Sequence, residues 1–187
     1  MQIVSTAIPD VKIITPKKHG DTRGFFSEVF IAKTAEQFAP GITFVQDNHS
    51  LSEKPFTLRG LHYQEPPHAQ AKLVRILKGA ALDIAVDIRK GSPTFGQHVK
   101  VELRPELWNQ IYVPAGFAHA VLTLEPATEI FYKVSDYYAP SHDKGILITD
   151  PALNIQLPVP AEKLILSDKD KQLPLLKDAH TPFVYSA

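Results

Sequence analysis

The stretch Ala81-Leu82-Asp83-Ile84-Ala85-Val86-Asp87-Ile88-Arg89 decides the fold class. Leu82, Ile84, Val86 and Ile88 fall on one side of an extended chain, and Asp83, Asp87 and Arg89 on the other. That period of two is the signature of a β-strand, not of a helix. Upstream lies an apolar run from Leu73 to Leu77, and the Lys78-Gly79 pair between the two runs predicts a hairpin. Downstream, His98 to Arg104 alternates again, with Val99, Val101 and Leu103 facing inward. Gln110 to Val113, Ala118 to Leu124 and Thr128 to Ser135 continue at the short, even spacing of a sandwich or barrel. The 16 prolines sit mostly between these runs. The pattern predicts an all-β, antiparallel double sheet, a jelly roll.

Outside this centre the signals are weaker. Met1 to Lys18 carries a short β-branched run, Val11 to Thr15, between Pro9 and Pro16, which suits an edge strand or an arm. Gly20 to Gly24 reads as a turn, Phe25 to Ile31 as a strand, and Ala32 to Phe38 as a short helix closed by Pro40-Gly41. After Pro151 the chain becomes proline-punctuated coil, with a short helix expected near Ser167 to Leu176. A length of 187 residues suits one domain spanning the whole chain.

Composition removes several function classes. Lys plus Arg and Asp plus Glu number 20 each, so there is no global charge footprint for nucleic acid or an anionic membrane. Without cysteine there is no disulfide framework, thiol nucleophile or thiolate metal site. Met1 to Asp21 lacks the apolar run of a secretory signal, and no stretch approaches the roughly 20 apolar residues of a membrane span. The expectation is a soluble, cytoplasmic protein.

Polar groups nevertheless cluster inside the strand-like sequence. Leu58-Arg59-Gly60-Leu61-His62-Tyr63-Gln64 sets a cation and an imidazole three residues apart, flanked by Gln46 to Ser50 and Gln70 to Arg75. A lone histidine is more often a hydrogen-bonded core or rim residue, but a cluster of costly buried polar groups points to a site. Pro114-Ala115-Gly116-Phe117-Ala118-His119 adds a second imidazole, and resembles the P-x-G-x-x-H element of the cupin superfamily.

The resemblance extends along the chain. Arg23-Gly24-Phe25-Phe26, Gln46-Asp47-Asn48, the Leu58 to Gln64 run, Lys72-Leu73-Val74-Arg75, Asp87-Ile88-Arg89 with Ser92 to Gly96, Gly116 to His119 and Tyr132-Lys133 stand in order. From about residue 20 to Asp170 the chain resembles the dTDP-4-dehydrorhamnose 3,5-epimerase family. The resemblance implies a cupin-type jelly roll with short peripheral helices and a nucleotide-linked 4-keto-6-deoxyhexose as substrate. It implies no cofactor, no metal and a homodimer, in which an N-terminal segment reaches across the interface, a task that Val11 to Thr15 suits by strand pairing.

The chemistry needs few groups. The C3 and C5 protons of such a sugar are both α to the ketone, so one base on one ring face and one acid on the other serve both centres. By resemblance His62 is the base, Asp170 the carboxylate that orients it, Tyr132 the acid and Lys72 the cation beside the C4 oxygen. Asp168 rivals Asp170, while Tyr137 and Tyr138 rival Tyr132. Arg59, Gln46, Asn48 and His119 match substrate contacts. So do Arg23, Phe25, Phe26 and Glu28 in the first strands, and Asp143 with Lys169 further on. Arginine suits a diphosphate because its planar fork makes paired, charge-assisted bonds.

Some positions depart from the family pattern. Aliphatic or small residues stand where tryptophans are common near Leu147 to Thr149 and near Leu157, and Ala71 and Ala120 replace common glycines. These leave room for another nucleotide or for inversion at one carbon only. The rival reading is a metal-dependent cupin enzyme, with ligands drawn from His49, His62, His68 and His119. The usual His-x-His with a following Glu is missing, since Tyr63-Gln64 follows His62.

Overall fold

The alternating runs become two facing antiparallel sheets. In the computed structural model, which describes residues 1–186, the first strands are β1 (Gln2–Ser5), β2 (Lys12–Thr15), β3 (His19–Asp21) and β4 (Gly24–Phe26). Then follow β5 (Gln46–Ser52), β6 (Leu58–Gln64), β7 (Lys72–Lys78) and β8 (Ala81–Asp87). The last are β9 (His98–Leu103), β10 (Gln110–Val113), β11 (Phe117–Thr123), β12 (Thr128–Val134) and β13 (Asp143–Gly145). One sheet has six strands, ordered β1-β2-β10-β7-β12-β5, and the other five, ordered β13-β6-β11-β8-β9. Strands β3 and β4 form a separate hairpin. This is the jelly roll that the strand spacing predicts.

The Leu73–Arg89 region departs from expectation. Strands β7 and β8 do not pair: β7 lies between β10 and β12, and β8 between β11 and β9 in the other sheet. Lys78-Gly79 is therefore a corner that passes the chain between sheets. Gly79, at φ 75°, has Thr128 against the place where a side chain would stand. A corner and a hairpin share the same glycine signal, and only the partner strand distinguishes them.

The alternation in β8 is real, but both of its faces are buried. Ala81 and Ala85 belong to the core between the sheets, with Val74, Ile111, Val121 and Ile130. Ile84, Val86 and Ile88 point the other way, under a layer built from Ile146, Ile148, Leu153 and the C-terminal coil. Leu147, Ile148 and Leu157, where the family often has tryptophan, thus stand in or near this outer apolar layer.

Other boundaries also shift. The Phe25 to Ile31 strand shrinks to Gly24–Phe26, and the first helix, α1, covers only Ala32–Ala35, without a side-chain cap at Ile31. The C-terminal helix α2 is Asp168–Lys171, capped by Ser167. Both edges of β2 are taken, by β1 and β10 within the same chain, so Val11 to Thr15 has no edge free to pair with a partner. No helix among the described residues is long and apolar enough to cross a membrane.

One guanidinium ties distant segments together. Arg89 donates to Asp87 at 2.7 Å and to Asp10 at 2.9 Å, and stacks on the rings of Phe117 and Tyr185. Burial pushes the Asp87 carboxyl up, but hydrogen bonds from Arg89, Ser92 and Thr94 outweigh it and hold the group at about 2.

Candidate active site

Strict alternation would place Arg59 and His62, three residues apart, on opposite faces of β6. The structure puts both on one cavity. The phase is reset at Gly60, which has φ 119°, opposite a register shift between His119 and Val121 of β11. A Cβ at Gly60 would strike the His119 carbonyl and come within 2.8 Å of the Ala120 Cβ. Glycine is required there because backbone approaches backbone. The bulge delivers the cation and the imidazole to the same place.

That place is a cavity of about 370 Å³ between the sheets. His62, Arg59 and His119 enter it from the five-stranded sheet; Lys72 and Tyr132 enter from the six-stranded one. His62 Nε2–H donates to Asp170 Oδ1 at 2.6 Å, with side-chain exposures of 29% and 4%. Asp170 is held in turn by the capping of α2, where its N–H donates to Ser167 Oγ at 3.1 Å. Asp168 lies on the far side of that turn, exposed and paired with Lys171. The carboxylate beside the histidine is Asp170. Its bond fixes one tautomer and leaves Nδ1 with the lone pair.

Electrostatics suit proton removal. Burial lowers the pKa of His62, and Asp170 only partly restores it, so the imidazole is a free base near neutral pH. Burial also lowers the pKa of Lys72, against the through-space pull of Asp143 and Asp83. Burial raises the pKa of the Tyr132 phenol, while Arg59 draws it back down. Thus Tyr132 keeps its proton, His62 lacks one, and Lys72 brings its amine to the same cavity.

A second imidazole stands beside the first. His119 is the cross-strand neighbour of His62, and its Nε2–H is shared by both carboxylate oxygens of Asp83 at 2.9 Å. The pair is sealed, with exposures of 8% and 0%. The sequence placed Asp83 merely on a polar strand face; a carboxylate flanked by apolar residues on both sides was the available signal. The wall formed by Ile165 and Leu166 was also missed, because it comes from irregular chain that reaches the sheet through a bridge between Thr57 and Ile165.

A second cavity of about 250 Å³ shares His62, Lys72 and Tyr132 with the first. Gln46, Asn48 and Asp143 line it, and Gln46 donates to Asn48 at 2.7 Å. At its rim Asp143 Oδ2 accepts from Lys169 Nζ at 2.5 Å and from the Tyr138 hydroxyl at 3.0 Å. Gln64 holds the neighbouring loop by donating to the Tyr137 carbonyl and accepting from Ala139 N–H.

Four expected contacts are not brought in. Arg23, Phe25 and Phe26 lie on or beside the β3–β4 hairpin, exposed, and Glu28 follows it; none lines either cavity. The histidines weighed as metal ligands also diverge. His49 pairs with Glu129 and His68 with Asp136, while His62 and His119 each bond a different carboxylate. Among the described residues no three His, Asp or Glu side chains converge on one point.

Comparison with known proteins identifies the family. The family model described as dTDP-4-dehydrorhamnose 3,5-epimerase matches residues 5–178. A Salmonella typhimurium protein named dTDP-4-dehydrorhamnose 3,5-epimerase is 49% identical, over 96% of this chain and 97% of that one. The crystal structure of a Legionella pneumophila dTDP-6-deoxy-D-glucose-3,5-epimerase in complex with dTDP-4-keto-L-rhamnose superposes with a TM-score of 0.93. It is 44% identical, covering 100% of this chain and 99% of that one. A 3'-monoepimerase from Streptomyces bikiniensis, in complex with dTDP-quinovose, has a TM-score of 0.85 at 35% identity, over 92% of this chain and 87% of that one. With an imidazole on one sheet backed by a carboxylate from α2, a phenol on the other sheet and these relatives spanning nearly its whole length, the chain belongs to the dTDP-4-dehydrorhamnose 3,5-epimerase family.

Proposed function

We propose that this chain converts dTDP-4-dehydro-6-deoxyglucose to dTDP-4-dehydrorhamnose by inverting C3 and C5. One observation carries the reading: His62 and Tyr132 approach one cavity from opposite sheets. Epimerisation by deprotonation and reprotonation needs that arrangement, because the two protons cross opposite ring faces. His62 takes the proton α to the ketone, and the released electron pair moves onto the C4 oxygen as an enolate. Lys72 stabilises that oxygen, an effect worth about 2.7–4 kcal/mol by analogy with lost oxyanion donors. Tyr132 then protonates the same carbon from the other face. The imidazolium and the phenolate return to their starting states by exchange with water.

Arg59, Gln46, Asn48 and His119 contact the substrate in this reading, and the second cavity takes the nucleotide end beside Asp143 and Lys169. Arg23, Phe25, Phe26 and Glu28 then serve a second copy of the chain, since their own cavity is out of reach. A homodimer is supported by the exposed Phe25 and Phe26, and by Leu51 and Leu77, left uncovered on the six-stranded sheet. Sedimentation equilibrium tests it. A nucleotide-activated substrate fits work in the cytoplasm, and the described residues serve one domain.

Incubation with dTDP-4-keto-6-deoxyglucose in heavy water, following C3 and C5 separately, tests the function. Exchange and inversion at both carbons are expected, unaffected by chelators. Inversion at C3 alone would place the chain with the monoepimerases that share its fold.

A further inference from the structure

The β3–β4 hairpin pairs with no strand of either sheet, so no sheet hydrogen bond sets its direction. A two-stranded ribbon is marginal by itself, and its orientation must come from its base. That base rests on Trp108, the chain's one tryptophan, in the connection between β9 and β10. Lys18 Nζ lies 3.8 Å from the indole and the Phe25 ring meets it edge-on at 4.9 Å. Trp108 Nε1–H donates to Ser27 Oγ at 3.1 Å, and that hydroxyl donates to the Lys17 carbonyl at 2.8 Å. Both feet of the hairpin therefore converge on one indole. The Arg75 guanidinium also stacks on it, 4.7 Å from the ring, and Arg75 Nε is buried without a hydrogen-bond partner. An unpartnered buried donor is costly, and the ring face is what Arg75 has in exchange. Trp108 itself, at φ 54°, holds a backbone conformation rare outside glycine.

We infer that Trp108 is a positioning residue that aims the β3–β4 hairpin, with Arg23 and Phe26, at the nucleotide half of a substrate bound by a second copy of the chain. The inference rests on the reading that this hairpin contacts the nucleotide, and adds what sets its direction. Trp108 lines neither cavity of its own chain and meets the hairpin at its base, so it acts on the substrate through the hairpin. Its loss should appear in KM and leave kcat nearly intact, since uniform binding is lost while the chemical step keeps all its groups.

Steady-state kinetics of Trp108→Ala, Trp108→Phe and Arg23→Ala, with tryptophan emission of the wild-type protein titrated with dTDP, form the test. Trp108→Ala is expected to raise KM about tenfold or more with kcat within about twofold, Trp108→Phe less, because it keeps a ring face. Saturating dTDP is expected to change wild-type emission. A raised KM in Arg23→Ala with an unchanged KM in Trp108→Ala overturns the positioning role and leaves the hairpin reading intact. Unchanged KM in both overturns that reading and the inference together. If Trp108→Ala fails to fold, Trp108→Phe and the wild-type emission decide; wild-type KM and emission indifferent to dTDP overturn the inference.

Discussion

Two histidine–aspartate pairs present cross-strand neighbouring imidazoles to the cavity and yet are built differently. His119 and Asp83 both stand on the five-stranded sheet, and both are sealed from water. His62 stands on that sheet, but Asp170 arrives from a capped turn 108 residues further along, and the imidazole keeps part of its surface open. In the proposed mechanism a proton enters and leaves His62 in each cycle, which needs the access that its partly open imidazole keeps. The sealed pair instead locks the cavity wall that His119 forms. The difference teaches that a repeated motif is to be read from its surroundings.

The comparison can be broken most sharply at His62. His62→Asn should lower deuterium wash-in at both C3 and C5 about 10⁴-fold, the upper range for a positioned base, while circular dichroism stays native. Near-normal exchange would sink the assignment. Next comes Tyr132→Phe, expected to lower inversion about 10³-fold while wash-in with retention continues, because His62 can still remove and return a proton. Both are measured on one sample, and an equal loss of the two would make Tyr132 a binding residue.

Two substitutions then oppose the pairs directly. Asp83→Asn should cost about 3 kcal/mol in urea unfolding, since it breaks a buried pair, whereas Asp170→Asn should cost about 1 kcal/mol. Asp170→Asn should instead lower kcat about 10²-fold, through loss of the fixed tautomer. A larger stability loss from Asp170→Asn than from Asp83→Asn would erase the proposed division of labour. The smallest effect is in pH dependence. Burial holds His62 below 6.5, so the acid limb of kcat/KM should fall below that value, where protonation removes the base. Asp170 raises the imidazole, so Asp170→Asn should move the limb lower still.

Much of this was legible in residue order. Period-two runs marked most of the strands, and motif blocks in sequence marked His62, Lys72, Tyr132, Asp170 and His119, all of which meet in one cavity. What was not legible depends on partners. Lys78-Gly79 looks the same as a hairpin or as a corner. Asp83 looks like a solvent-facing residue until β8 is found covered on both sides. The four hairpin-region residues have the right chemistry, but nothing local reveals that they point away from their own cavity. The Arg59–His62 spacing violates alternation, and Gly60 between them was the one visible hint of the bulge that reconciles it.

The proposed base and acid, His62 and Tyr132, stand on opposite sheets, and packed sheets lie about 10 Å apart. That spacing works as a gauge. It sets the span between imidazole and phenol, and it is held by the core side chains, Val74, Val121 and Ile130 among them. In the proposed mechanism the thickness of the hydrophobic core thereby sets the distance a substrate ring has to bridge. A substitution that swells or thins the core would retune the proton span from a distance, without altering a single polar atom.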